Sequence, residues 1–183
     1  MVNNNQKIFF KKESDSFYKE LKEEIENYFL EKNINKYGNN FMYFKMIFFF
    51  LIYLGSYSTI FYCPNIYYLI INYSFIGIWG VFLGLNVGHD AAHNAIFKTK
   101  KYNQLLVHVF DLLGTNSYNW KNRHVGAHHL YPNVMNMDSD IQQTNVVKIF
   151  PSDKHKSFHF IQYLYMPFLY MIYIFRWVVY RDF

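Results

Sequence analysis

Cysteine and charge are scarce in this sequence. Cys63 is the only cysteine among 183 residues, so no intramolecular disulfide can form, and we interpret it as an apolar packing residue. Charged residues make up 17% of the chain, below the roughly 25% of an ordinary soluble domain. Because 52% of the residues are hydrophobic, disorder is excluded for most of the chain.

A signal peptide and a nucleic-acid-binding stripe are also missing. Residues 1–13 lack the apolar core and the cleavage site of a signal peptide. The net charge of +5 does not indicate a nucleic-acid partner, because the basic residues form no stripe with interleaved aromatic residues. Most of the basic residues lie in two flanks, eight in residues 1–45 and eight in residues 89–157, which we therefore predict to face the cytoplasm.

The longest gap in the charge pattern predicts membrane-spanning helices. No charged residue lies between Lys45 and His89, a run of 43 residues, whereas one helical crossing needs about 20. The turn Pro64-Asn65 divides this run, so we predict a transmembrane helical hairpin over residues 41–88 with Lys45 and His89 on the same side. A buried hairpin of a soluble protein is the alternative.

These segments predict an all-α integral membrane protein, multi-pass, with cytoplasmic helices between its spans. The predicted parts are a cytoplasmic N-terminal region (1–40) with an amphipathic helix from Asp15 or Ser16 to about Lys32, the transmembrane hairpin (41–88), a cytoplasmic region (89–157) with helices over 105–113 and 118–130, and the start of a second transmembrane pair (158–183). Within the hairpin, we expect Asn72 and Asn86 to form hydrogen bonds across the two helices.

Histidines recur at metal-ligand spacing directly after the predicted hairpin. His89 and His93 lie four residues apart, and His124 and His128 repeat this spacing, with His129 following. Residues four apart share a helix face, so each pair can present two imidazoles to a metal. We predict a metal centre held by these five histidines. Their spacing alone does not select among iron, zinc, copper and nickel.

Other residues near these histidines leave alternatives open. The zinc-protease motif H-E-x-x-H is excluded, because Asp90 follows the first histidine and no Glu occurs beyond Glu31. Asp90, Asp138 and Asp140 are either acceptors for imidazole N–H groups or solvated polar residues, and the last two could instead pair with nearby basic residues. Trp120 is either the wall of a substrate tunnel or an ordinary packed residue.

Two segments resemble the histidine boxes of the membrane-bound fatty-acid desaturases. They are Gly88-His89-Asp90-Ala91-Ala92-His93 and Trp120-Lys121-Asn122-Arg123-His124-Val125-Gly126-Ala127-His128-His129, followed by Tyr131-Pro132-Asn133 and Asp138-Ser139-Asp140-Ile141. The sequence looks most like bacterial acyl-CoA desaturases of the linoleoyl-CoA type, and the resemblance extends from about residue 8 to the end.

The resemblance implies a non-haem di-iron centre on the cytoplasmic side, with O2 as oxidant and a long-chain fatty acyl-CoA or acyl-lipid as substrate. Its metal ligands would be His89, His93, His124, His128 and His129. This agrees with the chemistry, because unactivated methylene C–H bonds call for a metal–oxygen oxidant. No His-Pro-Gly-Gly of a fused cytochrome domain occurs, so electrons would come from a separate ferredoxin or cytochrome.

The third histidine box of that family, Q-x-x-H-H or H-x-x-H-H, does not occur in these 183 residues. We therefore expect the chain to be the N-terminal part of a desaturase, with little or no turnover by itself. We do not assign His155 and His159 to that box and predict them to be surface or interface residues; His108 is predicted to be packed or interfacial. The alternative functions are a related di-iron lipid or alkane hydroxylase and a non-catalytic membrane metal-binding module.

Overall fold

A computed structural model describes residues 16–135, 137–141, 146–176 and 179. These residues form helices and turns, without a β-strand, in agreement with the predicted all-α class. The chain divides into two compact units, residues 1–36 and 37–183. In the first unit, helix α1 runs from Ser16 to Glu31 and buries none of its residues. Asp15, the other predicted start of this helix, lies outside the described residues.

The second unit begins with two long apolar helices. Helix α2 (Asn40–Ser58) starts where the Asn39 side chain accepts the Met42 N–H, and it continues as a 3-10 turn to Tyr62. Helix α3 (Ile66–Leu83) starts at Asn65, whose side chain accepts two backbone N–H groups. An asparagine side chain therefore caps the N-terminus of each long helix. The short connection between the helices confirms the turn predicted at Pro64-Asn65.

These two helices are long and apolar enough to cross a membrane. The continuous helical stretches cover Asn40–Tyr62, with 23 residues, and Ile66–Ala92, with 27 residues. Only 6% of the first apolar stretch and 17% of the second is buried. Helices in the core of a soluble protein would bury most of this surface, so the exposure argues against the soluble hairpin.

Polar contacts tie the two long helices together at both ends. Lys45 Nζ lies 4.0 Å from Asp90 Oδ2, which confirms that the start of one helix and the end of the other share one side of the hairpin. Near the opposite end, Thr59 Oγ1 donates to Asn72 Oδ1 at 3.0 Å, a hydrogen bond across the helices as predicted. The prediction for Asn86 was wrong: its amide donates to the Phe82 carbonyl at 2.8 Å, within its own helix.

Short helices follow the hairpin. They are α4 (Asp90–Ala92), α5 (Lys100–Val107), α6 (Val109–Leu112) and α7 (Ser117–Arg123). The helix predicted over 105–113 is therefore divided at His108. The segment before α5 is fixed by Asn103, a fully buried side chain that accepts the Phe97 N–H at 3.0 Å and donates to the Phe97 carbonyl at 2.6 Å.

The core lies where α6 and α7 pack on the end of the second long helix. Its buried apolar residues are Tyr53, Leu83, Val87, Ala91, Ala92, Ile96, Val107, Val109, Phe110 and Trp120. The last α-helix among the described residues, α8 (Gln162–Arg176), follows a 3-10 turn at Ser157–Ile161. Its 15 described residues are fewer than one crossing needs, so the third span stays a prediction.

Candidate metal centre

The first histidine pair lies where the second long helix changes its hydrogen-bonding pattern. After α3, residues Gly84–His89 form a π-helical turn, and the short helix α4 follows. His93 ends α4, and its ring centroid lies 4.7 Å from that of His89. π-Helical turns are rare and frequently occur at functional sites.

The second histidine segment is also π-helical. Helix α7 ends at Arg123, where the sequence predicted one α-helix over 118–130, and His124–His128 continue it as a π-helical turn. The His129 N–H donates to the His124 carbonyl at 3.0 Å, a bond between residues five apart. The π-helical turn therefore brings His129 beside His124, with ring centroids 4.6 Å apart.

Four imidazoles from these two segments form one compact cluster. One ring nitrogen from each of His89, His93, His124 and His129 lies within 4.8 Å of the others. His124 and His129 approach each other most closely, with their Nε2 atoms 3.1 Å apart. The segments come from different helices, and the rings of His93 and His129 meet across them at 4.5 Å. Four imidazole nitrogens at this separation fit the coordination of one or more transition-metal ions.

His128 lies at the edge of this cluster. Its ring centroid is 5.5 Å from that of His124 and 5.3 Å from that of His129. Its Nδ1 atom faces Asp138, whose Oδ1 lies 2.9 Å away. The structure thus brings all five predicted residues together, with four in the compact group and His128 beside it.

Carboxylates contact three of the five rings. Asp140 Oδ2 lies 3.2 Å from His124 Nδ1, and Asp138 holds His128 in the same way. Asp90 Oδ1 lies 3.5 Å from His89 Nδ1, at the limit of a hydrogen bond. Of the alternatives for Asp138 and Asp140, the structure shows the contacts with imidazoles.

The environment of the cluster favours neutral imidazoles. Burial lowers the pKa of His93, and the nearby rings of His89, His129 and His124 lower it further. Burial also lowers the pKa of His124, and burial together with the nearby rings of His89 and His129 outweighs the opposite effect of Asp140. Metals bind the neutral form of imidazole, so both shifts favour metal binding near neutral pH.

Asp138 stays ionised despite its burial. Burial by itself raises the pKa of this carboxyl, but hydrogen bonds from the Asn133 N–H, His128 and the Asp140 N–H outweigh it and hold the pKa below its usual value. The carboxylate is therefore a permanent acceptor at neutral pH.

A stack of aromatic rings packs against one histidine of the cluster. Trp120 is buried and stacks on His124 at 4.7 Å and on Phe110 at 3.8 Å. Phe110 in turn covers Gly88, where a side chain would meet the ring at 2.8 Å. Trp120 is thus a packed residue in contact with a predicted ligand. Sequence reasoning missed Phe110; the four-residue spacing of Gly80, Gly84 and Gly88 was the signal for a close helix contact.

The remaining histidines lie outside the cluster. His108 is more exposed than predicted, with 65% of its side chain accessible, and its Nδ1 lies 2.6 Å from Asp111 Oδ2. His155 and His159 contact each other, with ring centroids 5.7 Å apart, and neither belongs to the cluster found among the described residues. Their exclusion from the predicted ligand set agrees with this placement.

Comparisons with a family model and with individual proteins point to the same family. The fatty acid desaturase family model matches residues 64–183, which include both histidine segments. The chain is 28% identical over 165 residues to the sn-1 linoleoyl-lipid 6-desaturase of Synechocystis sp., covering 90% of this chain and 46% of that protein. It is 27% identical over 180 residues to the protein of the same name from Arthrospira platensis, covering 98% and 49%.

A plant relative shows the same relationship. The acyl-lipid (8-3)-desaturase of Physcomitrium patens is 27% identical over 161 residues, covering 86% of this chain and 34% of that protein. The chain therefore spans less than half the length of these curated relatives. No solved structure matches the chain with statistical significance.

Proposed function

Because the chain belongs to the fatty acid desaturase family, we propose that it acts in the O2-dependent introduction of a double bond into a long-chain fatty acyl group. The observation that carries this proposal is the convergence of four imidazoles, from two separate histidine segments, within 4.8 Å. The family is one of oxidoreductases of lipid metabolism, and such a cluster is compatible with the iron that this chemistry uses.

The five histidines are proposed as ligands of a non-haem di-iron centre. The proposed ligands are His89, His93, His124, His128 and His129. An all-imidazole donor set suits iron, and the lowered pKa of His93 and His124 keeps nitrogen lone pairs available. Bound iron would activate O2 for attack on a C–H bond that no side chain can break by acid–base chemistry.

The proposed reaction balances with a separate electron donor. One hydrogen leaves each of two adjacent carbons, and the second bond forms between these carbons. O2 accepts the two hydrogens together with two electrons and two protons, and it leaves as two waters. The electrons would come from a ferredoxin or cytochrome, since no His-Pro-Gly-Gly motif occurs among these 183 residues. The chain by itself is proposed to turn over little, because the family's third histidine box is not among its residues.

We propose an acyl-lipid as substrate in preference to an acyl-CoA. The relatives named above act on linoleoyl-lipid or acyl-lipid substrates according to their names. The two long helices expose apolar side chains along most of their length, and the second of them ends beside the histidine cluster. Such helices would lie among lipid acyl chains, where the substrate also resides.

The same helices support an integral membrane location. We propose that Asn40–Tyr62 and Ile66–Ala92 cross the bilayer as an antiparallel pair. The basic flanks would then lie in the cytoplasm together with the histidine cluster and the N-terminus. Further spans beyond this pair, as predicted from residues 158–183, belong to the same proposal.

Metal binding by the chain is the first test. The 183-residue chain is purified in detergent and titrated with Fe2+ under anaerobic conditions. We expect His124→Ala to weaken binding at least tenfold, because it removes a donor from the centre of the cluster. His108→Ala is the matched control and should bind as the wild type does. Equal binding by both variants would contradict the proposed centre.

Product analysis tests the reaction. The matching segment of the Synechocystis relative is replaced by this chain, and membrane lipids of cells expressing the chimera are analysed by gas chromatography and mass spectrometry. We expect an acyl chain lighter by two hydrogens, absent from the His124→Ala chimera. A hydroxylated chain without an alkene would identify a hydroxylase instead. A membrane-inserted chimera that modifies no acyl chain would overturn the proposal.

A further inference from the structure

On the premise that the histidine cluster is the metal centre, we propose that Asp138, Ser139 and Asp140 form a clip, in which the two carboxylates orient the imidazoles of His124 and His128 and Ser139 tethers the segment to the Arg123 carbonyl. The two carboxylates are positioning residues: they select the Nδ1–H tautomer of each ring and leave Nε2 as the nitrogen that binds metal. The clip is a separate segment, reached only after the chain has turned back from the end of the second histidine segment.

Each residue of the clip contacts the helix that carries the histidines. Asp138 Oδ1 lies 2.9 Å from His128 Nδ1, and Asp140 Oδ2 lies 3.2 Å from His124 Nδ1. Between them, Ser139 Oγ donates to the Arg123 carbonyl at 2.9 Å. Three consecutive residues therefore follow one face of the segment His124–His128, with contacts that reach back 10 to 16 residues.

Asp138 fixes the shape of the clip. Only 1% of its side chain is exposed. Its Oδ1 also accepts the Asp140 N–H at 2.9 Å, and its Oδ2 accepts the Asn133 N–H at 2.8 Å. Because these backbone bonds hold the carboxylate in place, His128 must orient to Asp138 and not the reverse.

The contacts determine which nitrogen is available for metal. A carboxylate accepts a hydrogen bond from Nδ1–H, so a neutral ring in this contact carries its lone pair on Nε2. His124 shows the consequence directly, because its Nε2 points to the His129 Nε2 at 3.1 Å, inside the four-imidazole cluster. Trp120 stacks on the face of the same ring, so His124 is fixed at its edge and at its face.

Imidazole tautomers give a readout that needs no metal. The full chain, labelled with 15N-histidine, is studied in detergent micelles at about pH 8, where an ordinary imidazole is neutral. We expect the Nδ1–H form for His124 and His128. Asp140→Ala should shift His124 towards the other tautomer, whereas Asp140→Asn, which keeps an acceptor oxygen, should retain the Nδ1–H form. Ser139→Ala removes the tether without touching an imidazole and should leave both tautomers unchanged.

Metal affinity gives the second readout. Titration of the same proteins with Co2+, followed by its visible absorption, should show binding weakened about 10-fold to 100-fold by Asp140→Ala. Asp153→Ala is the matched control, because its carboxylate also accepts backbone N–H groups, those of Ile149 and Phe150, in a loop outside the clip. Asp140 is the residue substituted in this test, since replacing the buried Asp138 would also leave the backbone N–H groups that it accepts without a partner and so destabilise the fold.

The outcomes separate this proposal from the one it rests on. An Asp140→Ala chain that keeps the wild-type tautomer and the wild-type Co2+ affinity would overturn the clip. Equal losses of affinity in Asp140→Ala and Ser139→Ala, with unchanged tautomers, would reduce the segment to a structural tether and also overturn it. A wild-type chain with the expected tautomers but without Co2+ binding would count against the metal centre and not against the clip.

Discussion

His124 and His129 face each other nitrogen to nitrogen at 3.1 Å, a contact that two protonated imidazoles cannot make. Two N–H groups would repel, so these Nε2 atoms share at most one proton. The low pKa that burial gives His124 agrees with this requirement. At the scale of single residues, this contact therefore requires a lone pair on at least one of the two Nε2 atoms, and a bound cation would stabilise it.

The second residue-scale feature is a set of polar contacts outside the cluster, at the start of helix α7, which leads into the second histidine segment. Asp111 Oδ1 accepts the Ser117 N–H at 2.8 Å, and Asp111 Oδ2 accepts Ser117 Oγ at 2.7 Å and contacts His108 Nδ1 at 2.6 Å. Burial by itself raises the pKa of this carboxyl, but the bonds from Ser117 and His108 outweigh it and hold the pKa below its usual value.

The lowered pKa of Asp111 predicts a pH-dependent contribution to stability. A depressed pKa in the folded state stabilises the fold above the unfolded-state pKa, and this contribution is lost as the pH falls through the folded-state value. We expect Asp111→Asn to lower the free energy of unfolding by about 1 kcal/mol near neutral pH, since the carboxylate is 45% exposed. The difference should decrease below the ordinary aspartate pKa and vanish only below the lowered folded-state pKa.

Chemical denaturation in detergent, followed by tryptophan fluorescence, measures this difference. Other carboxyls such as Asp138 titrate in both proteins and cancel when the two are compared. A destabilisation that stays constant from neutral to acidic pH would show that the effect of the substitution is not due to the Asp111 charge.

At the scale of helices, the decisive feature is the pair of π-helical turns. Gly84–His89 and His124–His128 both depart from regular α-helix at the histidines. The second turn joins His129 to His124 through a bond between residues five apart, whereas an α-helix would have aligned His128 with His124. The turn thereby directs one ring of the His-His step into the cluster and the other to Asp138.

Gly88 lies in the first of these turns, and its close packing predicts that a larger residue at this position destabilises the fold. A Cβ at Gly88 would lie 2.8 Å from the Phe110 ring, which is itself stacked on Trp120. We expect Gly88→Ala to lower the free energy of unfolding by about 1–3 kcal/mol, as overpacking does. Metal binding should weaken as well, because Trp120 stacks on His124.

Gly77→Ala is the matched control for Gly88→Ala. Gly77 lies on the same long helix, and a Cβ there would meet nothing within 4 Å. The control should leave metal binding unchanged and should not destabilise the helix, which alanine favours over glycine. Thermal unfolding and Co2+ titration of both variants make the comparison, and equal behaviour would contradict the role given to the Gly88 contact.

At the scale of the whole molecule, the distribution of apolar surface fits the proposed membrane location. The two long helices bury little of their apolar length, while the small core gathers at one end of the hairpin, beneath the histidines. Water is a poor solvent for so much exposed apolar surface, and a bilayer removes that cost. The proposed centre would then sit at the boundary between lipid and water.

A charge placed on the exposed side of the second proposed span tests this arrangement. Ile78 lies near the middle of the span and is 53% exposed. We expect Ile78→Arg to cost about 2.5–3.5 kcal/mol in membrane insertion. The membrane-inserted fraction, measured by alkaline extraction of membranes, should fall accordingly.

Leu105→Arg is the matched control for Ile78→Arg. Leu105 is 67% exposed on α5, outside both long helices, so its substitution should leave insertion unchanged. An inserted fraction that is the same for Ile78→Arg and the wild type would show that this segment does not span the bilayer.

The sequence by itself determined the helical class, the two long apolar helices with their turn at Pro64-Asn65, and the residues of the candidate site. These features depend on hydrophobicity, length and local turn chemistry, which act over short stretches of chain and can be read directly from the sequence. The family resemblance of the histidine boxes belongs with them, and the family model confirms it.

Only the tertiary structure decided how the side chains meet. It joined His129 and not His128 to the compact cluster, paired Asp138 and Asp140 with imidazoles, and placed Phe110 between Gly88 and Trp120. A spacing of four residues assumes a regular α-helix, so a local change to π-helix altered the partners. Contacts between distant segments depend on the path of the intervening chain, which composition and periodicity do not specify.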